Sequence, residues 1–233
     1  MAGESAVMDG SRDLSAKMRD YLVEIYRLST RSRDEHHYVS TSVLADLLDV
    51  TAPAVNRMVS RLKELQLLQH EPYQGIRLTE SGKREALIKL RQHRIVEVFL
   101  VNVMGFQWHE IYEEAGRMSS ELSDPLAQRM LEMAGEPHYC PHGEPIPTPE
   151  GTIEILNDCL LTEAPVAKTL QLTRVLTRES DRLSYVAALG LVPGAELQLI
   201  HAAPFNGPMQ LKLKDEYRII GHNLAELIKV IEA

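Results

Sequence analysis

Two helical patterns with almost no linker between them, SVLADLLDV and TAPAVNRMVSRLKELQLL, set the tightest constraint on what this chain can fold into. In the second, Val55, Met58, Leu62 and Leu65 form a buried stripe. Thr51 is placed to cap that helix, and Pro53 falls in its first turn, where a missing N–H costs nothing. Upstream, LSAKMRDYLVEIYRLST puts Leu14, Met18, Leu22, Ile25 and Leu28 near one helical face. The polar connector that follows holds His36 and His37, both expected to be exposed. Downstream, LLQHEPYQGIRLTESGK reads as two short strands around the turn EPYQG, with Ser81 as the cap of a long helix over about 82–104.

Helix, helix, short turn, helix and hairpin make a winged helix-turn-helix. The second helix of the close pair would enter a DNA major groove. Thr51, Pro53, Asn56 and Arg57 lie at its N-terminal end, where side chains reach bases. Arg57 suits guanine edges and Asn56 suits adenine. Thr41 and Ser42, at the start of the preceding helix, join this candidate surface. Arg61 and Lys63, with Tyr73 and Arg77 in the wing, would meet phosphates. The competing reading is a helical interaction domain without DNA; the hairpin at the right distance favours DNA.

The rest of the chain changes character twice. Residues 82–104 and 108–134 read as two amphipathic helices, the second with Ile111, Ala115, Met118, Leu122, Leu126 and Met130 along one stripe. Such a pair suits a dimer interface or an intrachain bundle. A Pro- and Gly-rich segment, 135–151, ends this unit. From about 165, TLQLTRVL, ELQLIHA and MQLKLKDEYRIIG, separated by LVPGAE and APFNGP, suggest a small β-barrel of the SH3 type. Short helices are expected over Ser180–Leu189 and His222–Val230. The expected layout is a DNA-binding domain over 1–85, a helical dimerisation and metal-binding domain over 86–150, a linker over 151–164 and the barrel over 165–233. The fold class is mainly α with a small β part.

Net charge of −8 at first argues against a nucleic-acid partner, but it is uneven. Residues 1–85 carry 12 Lys and Arg against 13 Asp and Glu; the remainder carries 13 against 20. An acidic second part beside a near-neutral first part suits a regulatory region that binds cations. Two cysteines in 233 residues argue against a disulfide framework and for a cytoplasmic protein with free thiols. No apolar run is long enough to span a membrane, and the N-terminus reads as a short polar tail.

The stretch HYCPHGEPIP, residues 138–147, concentrates reactive chemistry in a proline-stiffened loop. Cys140 and His142 are two apart and can converge on one point. His93 and Glu97 are four apart on a helix and share a face, a spacing that also fits a surface hydrogen bond. Asp181 is a further acid at the start of a short element. No CxxC or HExxH is present, so a four-ligand structural zinc site is not indicated. A Cys–His nucleophile would need an orienting third group and an oxyanion loop, and neither is evident. Carboxylate, imidazole and a thiolate together tolerate Mn2+ or Fe2+, and would also bind Zn2+, as the affinity order warns.

The chain resembles the diphtheria-toxin-repressor family in its manganese-responsive branch. The resemblance rests on MRDYLVEIYRL, ADLLDVTAPAVNRMVSRL, the wing with LTESGK, RQHRIVEVFL, LSDPLAQRML, CPHGEPIP and ALGLVPGAEL, in order over nearly the whole chain. It implies a homodimer that binds operator DNA when loaded with a divalent metal, a C-terminal FeoA-like domain and no enzymatic activity. It also implies His93, Glu97, Cys140, His142 and Asp181 as metal residues, and Asp20 as a first-helix ligand of the family's other site. That other site is incomplete here: Gly116, Ser119 and Ser120 stand where ligands are needed, and Tyr112 replaces a histidine. Glu113, Glu114, Glu121 and His109 could substitute, or simply form a solvated acidic face. His138 is not expected to bind metal. Two rivals stay open: a winged-helix regulator with a non-metal effector, which predicts metal-independent DNA binding, and a metalloenzyme, which predicts turnover.

Overall fold

A computed structural model describes residues 14–31 and 38–233. The N-terminal tail and the His36–His37 connector lie outside the described residues. The chain divides into two compact units: residues up to Arg91 with Pro147–Thr152, and Gln92–Ile146 with Ile153–Ala233.

The first unit is the winged helix-turn-helix. Helix α1 (Ala16–Arg31) buries Met18, Leu22 and Ile25, as its spacing requires. Helix α2 (Thr41–Leu47) is capped by the Ser40 hydroxyl, which accepts from the Ser42 N–H. Helix α3 (Ala52–Glu64) buries Val55, Val59 and Leu62. Thr51 sits at its N-cap with extended backbone, but its side chain makes no cap hydrogen bond; Pro53 removes one of the donors that a cap would satisfy. Strands β1 (Leu68–Glu71) and β2 (Gly75–Leu78) pair antiparallel, and Val39 bonds both ways to Ile76 beside them. That close approach explains Gly75. Its φ is +119°, and a Cβ there would lie 2.4 Å from the Val39 carbonyl oxygen.

Helix α4 (Glu80–Asn102) follows the wing directly. Its cap is Thr79, not Ser81: the Thr79 hydroxyl accepts from the Gly82 N–H and donates to the Gln66 carbonyl. From Ala86 to Leu100 few of its residues reach solvent, and Lys89, His93, Arg94 and Glu97 are among those buried. A helix covered nearly all round that carries charged groups must supply each with a partner.

In the second unit the stripe expected over 108–134 is not one helix. Helix α5 (Tyr112–Ser119) and helix α6 (Asp124–Met133) are separate, because Pro125 can occupy only a first turn. The break takes Met118 and Leu126 out of the core, where they stay exposed. Ile95, Val96, Leu100, Ile111, Ala115, Ala127, Met130 and Leu131 form the helical core.

The remaining residues form a six-stranded antiparallel sheet in the order β3-β8-β4-β5-β6-β7. Its members are β3 (Cys159–Leu160), β4 (Thr169–Val175), β5 (Glu196–Ala202), β6 (Met209–Leu213), β7 (Glu216–Ile220) and β8 (Ile228–Glu232). Strand β3 and a 3-10 turn, Leu161–Glu163, fall in the stretch expected as linker. Irregular register in β4 at Leu172–Arg174 and in β5 at Leu199–His201 bends these strands around one apolar core. Helix α7 (Ser180–Ala188) is where it was expected. The second expected helix is shorter: α8 covers only His222–Ala225, and Ile228 and Val230 then alternate inward on β8. Alternating β-branched residues fit a pleated, half-buried surface better than a helix. Among the described residues, no helix is long and apolar enough to cross a membrane.

Candidate functional site

The loop at 138–147 is a tight, fully bonded turn. Pro141 presets the backbone, and the Gly143 N–H bonds back to the Cys140 carbonyl at 2.8 Å, so Cys140 and His142 flank the turn's centre. The Cys140 N–H donates to the Glu144 carbonyl, and the Ile146 N–H to the His138 carbonyl. Strand β4 closes the far side: the Val175 N–H donates to the His142 carbonyl at 3.0 Å. Gly143 has φ +83°, and a Cβ there would sit 1.9 Å from the Thr173 carbonyl oxygen. Arg94 on α4 donates to the Pro145 carbonyl and pairs with Glu144 at 2.6 Å. These contacts hold the loop against α4 without flexible intermediaries.

The result is a buried group of three donors. Glu97, Cys140 and His142 each offer one ligating atom, and these atoms all lie within 4.8 Å of one another. His142 Nδ1 lies 3.6 Å from Glu97 Oε1. The other ring nitrogen, Nε2, is 2.9 Å from the Trp108 carbonyl oxygen. A carbonyl can only accept, so Nε2 is the donor there, and Nδ1 is the nitrogen turned toward Glu97. His93 Nε2 stands 3.3 Å from Glu97 Oε1.

Electrostatics prepare the group unevenly. Burial alone would push the Glu97 carboxyl up. The charge of His93, with the His93 and His142 imidazoles 3.3 and 3.6 Å from Glu97 Oε1, outweighs it and holds Glu97 well below the usual carboxylate range. Burial pushes the Cys140 thiol well up, and the Glu97 carboxylate adds to this. The site therefore holds one carboxylate, one imidazole nitrogen turned toward it and one thiol that must lose its proton before it can ligate.

The other sequence candidates lie elsewhere. Asp181 is exposed in the first turn of α7 and is not gathered with the three donors. Asp20 is exposed on α1 in the other unit, where its charge acts on Lys89. His138 is exposed. Glu113 and Glu114 pair with Arg117 on the exposed face of α5. The Ser119 and Ser120 hydroxyls bond to carbonyls of their own helix, at Gly116 and Arg117. Among the described residues, Glu97, Cys140 and His142 are the one group of three or more that could hold a metal.

On the DNA-reading side, Thr51, Pro53, Asn56, Arg57, Arg61, Lys63 and Ser42 are exposed, and Thr41 is half-buried. Arg61 pairs with Glu64 at 3.1 Å. Tyr73 projects fully from the wing tip, while Arg77 is held by Gln69 at 2.9 Å and lies over Tyr38.

The sequence reading missed Trp108, Arg94 and the contact of Arg178 with Tyr112. The Trp108 carbonyl is main chain and leaves no side-chain signal. Arg94, beside His93 on a buried helix, needed an acid, and the Glu in CPHGEP was a visible candidate. Arg178 and Tyr112, discussed below, meet across 66 residues of sequence.

Three family models match in order: "Iron dependent repressor, N-terminal DNA binding domain" over residues 13–76, "Iron dependent repressor, metal binding and dimerisation domain" over 79–148, and "FeoA domain" over 159–232. The iron-dependent repressor IdeR of Mycobacterium bovis is 29% identical over 199 residues, covering 80% of this chain and 86% of the relative. Among solved structures, a manganese-dependent transcriptional repressor in complex with manganese superposes with TM-score 0.85 at 29% identity, covering 93% of this chain and all of the other. The apo form of the manganese-activated repressor ScaR gives TM-score 0.79 at 30% identity, covering 92% of this chain and all of the other. The chain belongs to the diphtheria-toxin-repressor family of iron- and manganese-dependent transcriptional repressors.

Proposed function

We propose that this protein is a cytoplasmic homodimer, not an enzyme, that represses metal-uptake genes by binding operator DNA when Mn2+ or Fe2+ is held by Glu97, Cys140 and His142. The observation that carries this reading is the buried convergence of those three donors. Their chemistry accommodates the ion: oxygen, nitrogen and sulfur donors together tolerate Mn2+ or Fe2+, and bind Zn2+ as well. Solved ScaR structures with bound Zn2+ and with bound Cd2+ support such tolerance. His93 stands close enough to Glu97 to serve as a further ligand or as the neighbour that orients it.

Bound there, a divalent ion supplies the positive charge that a buried carboxylate and thiolate require. The chain's own residues do the rest. His142 presents Nδ1 because Trp108 engages Nε2. Cys140 gives up its proton, and Glu97 is already ionised. Because Glu97 is on α4 and the other two donors are on the loop, holding all three fixes α4. That helix begins two residues after the wing. Exposed Met118, Leu126 and Met133, in the segment matched as metal binding and dimerisation, support a self-association surface. A two-fold dimer would present two copies of α3 to half-sites about one DNA turn apart, ~34 Å.

Selection of genomic DNA fragments by the purified protein, with Mn2+ and then with chelator, tests this. Fragments upstream of metal transporters should enrich only with Mn2+, and Glu97→Ala should enrich none. Equal enrichment with chelator would favour the non-metal effector.

A further inference from the structure

We propose that Arg178 is a positioning residue for the metal centre, clamping the Tyr112 ring against His93 and so fixing the histidine beside Glu97. The inference rests on the reading of Glu97, Cys140 and His142 as that centre.

Four contacts make a continuous path. Arg178 lies between β4 and α7, and its Nη1 donates to the Tyr112 hydroxyl at 3.0 Å. Its guanidinium carbon lies 4.9 Å from the centroid of the same ring. The Tyr112 and His93 rings are 5.0 Å apart with their planes tilted by 59°. His93 Nε2 is 3.3 Å from Glu97 Oε1.

Each contact restrains direction as well as distance. A guanidinium that both stacks on a ring and bonds its hydroxyl fixes the ring's tilt and its rotation about the helix. A tilted aromatic pair then limits how the imidazole can turn. The two ends are themselves anchored. Thr177, buried beside Arg178, accepts from the Glu179 N–H at 3.2 Å. Tyr112 opens α5 immediately after Ile111, which is wholly buried in the helical core.

The consequence concerns how the sheet domain acts on the centre. Its carboxylate candidate, Asp181, is not gathered with the donors, whereas its arginine reaches them through two rings. The sheet domain thereby acts on the site through orientation. A neighbouring positive charge by itself repels a divalent cation. The sign of the Arg178 effect therefore separates positioning from simple electrostatics.

The test is Mn2+ affinity of the full chain, read by titration and by fluorescence of its single tryptophan, Trp108, with thermal stability measured in parallel. Arg178→Gln should weaken Mn2+ binding about tenfold, the scale seen when a group orienting a ligand is lost. Arg178→Lys, which keeps a cation over the ring, should recover most of it. Tyr112→Leu should match Arg178→Gln, and the double variant should be no weaker than either single one. Unchanged or tighter Mn2+ binding in Arg178→Gln, or additive losses in the double variant, would overturn the proposal. Glu97→Ala is the control: if it binds Mn2+ like the wild type, the centre itself is wrong, whereas a dead Glu97→Ala beside an unaffected Arg178→Gln overturns only the positioning role.

Discussion

On α3, Asn56, Arg57 and Lys63 face solvent, whereas Glu97, Cys140 and His142 are each no more than 5% exposed. Both sets are polar, and both serve binding. The difference follows from the size of the partner. A surface that meets DNA keeps its polar groups hydrated until contact, so the free protein bears no desolvation penalty. A centre for a single ion must exclude water beforehand, so each of its groups needs an internal partner. Hence the bonds to Trp108, Arg94 and Val175 surround the second set. Changes on α3 should alter DNA binding and little else; changes around Glu97 should disturb ion binding, stability and DNA binding together.

The largest expected effect is at Glu97. Glu97→Ala should weaken Mn2+ binding by more than about 100-fold, exceeding the usual loss for a group that only orients a ligand, as calorimetry can measure. It should also remove Mn2+-dependent DNA binding. Gly143→Ala comes next. Strain at positive φ and the collision with the Thr173 carbonyl should cost at least about 2 kcal/mol of folding stability in thermal or denaturant unfolding. Mn2+ affinity should fall with it, because the turn carries two donors.

The pH response should be divided in the same way. Cys140, with its thiol raised, contributes stability that is full below the ordinary thiol range and is lost as pH rises through its folded value. Glu97, with its carboxyl depressed, contributes stability that is present above the ordinary carboxylate range and is lost as pH falls through its folded value. The metal-free protein should therefore weaken at alkaline pH, and Cys140→Ala should remove that weakening. Mn2+ affinity should instead rise with pH, by up to about tenfold per unit for one displaced proton. Titrations at several pH values check both limbs. DNA binding without metal should show no such signature.

On the exposed side, Arg57→Ala should cost about 1–3 kcal/mol in DNA affinity and relax preference at one base pair, with Mn2+ affinity of the free protein unchanged. A loss of Mn2+ affinity there would break the contrast between the two regions. The smallest effect is at Thr79. Removing its cap on α4 with Thr79→Ala should lower stability by about 1 kcal/mol in denaturant unfolding.

What the sequence made legible follows the range of the interactions. Glu97 and His93 could be paired because four residues are about one helical turn, and Cys140 with His142 because they are two apart in a proline-stiffened loop. The α3 surface was legible for the same reason: Val55 and Leu62 define the buried face, so Asn56 and Arg57 must lie outside it. The long stripe through Met118 and Leu126 misled because periodicity was followed across Pro125, which permits a helix to start but not to continue. The helix expected over His222–Val230 runs too far, because Ile228 and Val230 already alternate as a strand does. The role of Trp108 and the Arg178–Tyr112 contact depend on tertiary approach, and no local spacing announces either.

If metal at the buried centre gates DNA binding at the exposed surface, the two are energetically linked. The most direct measurement is Mn2+ affinity with and without a DNA fragment recovered by selection. Linkage requires DNA to tighten Mn2+ binding by the same factor by which Mn2+ tightens DNA binding. Equal Mn2+ affinity in the two conditions would contradict the account.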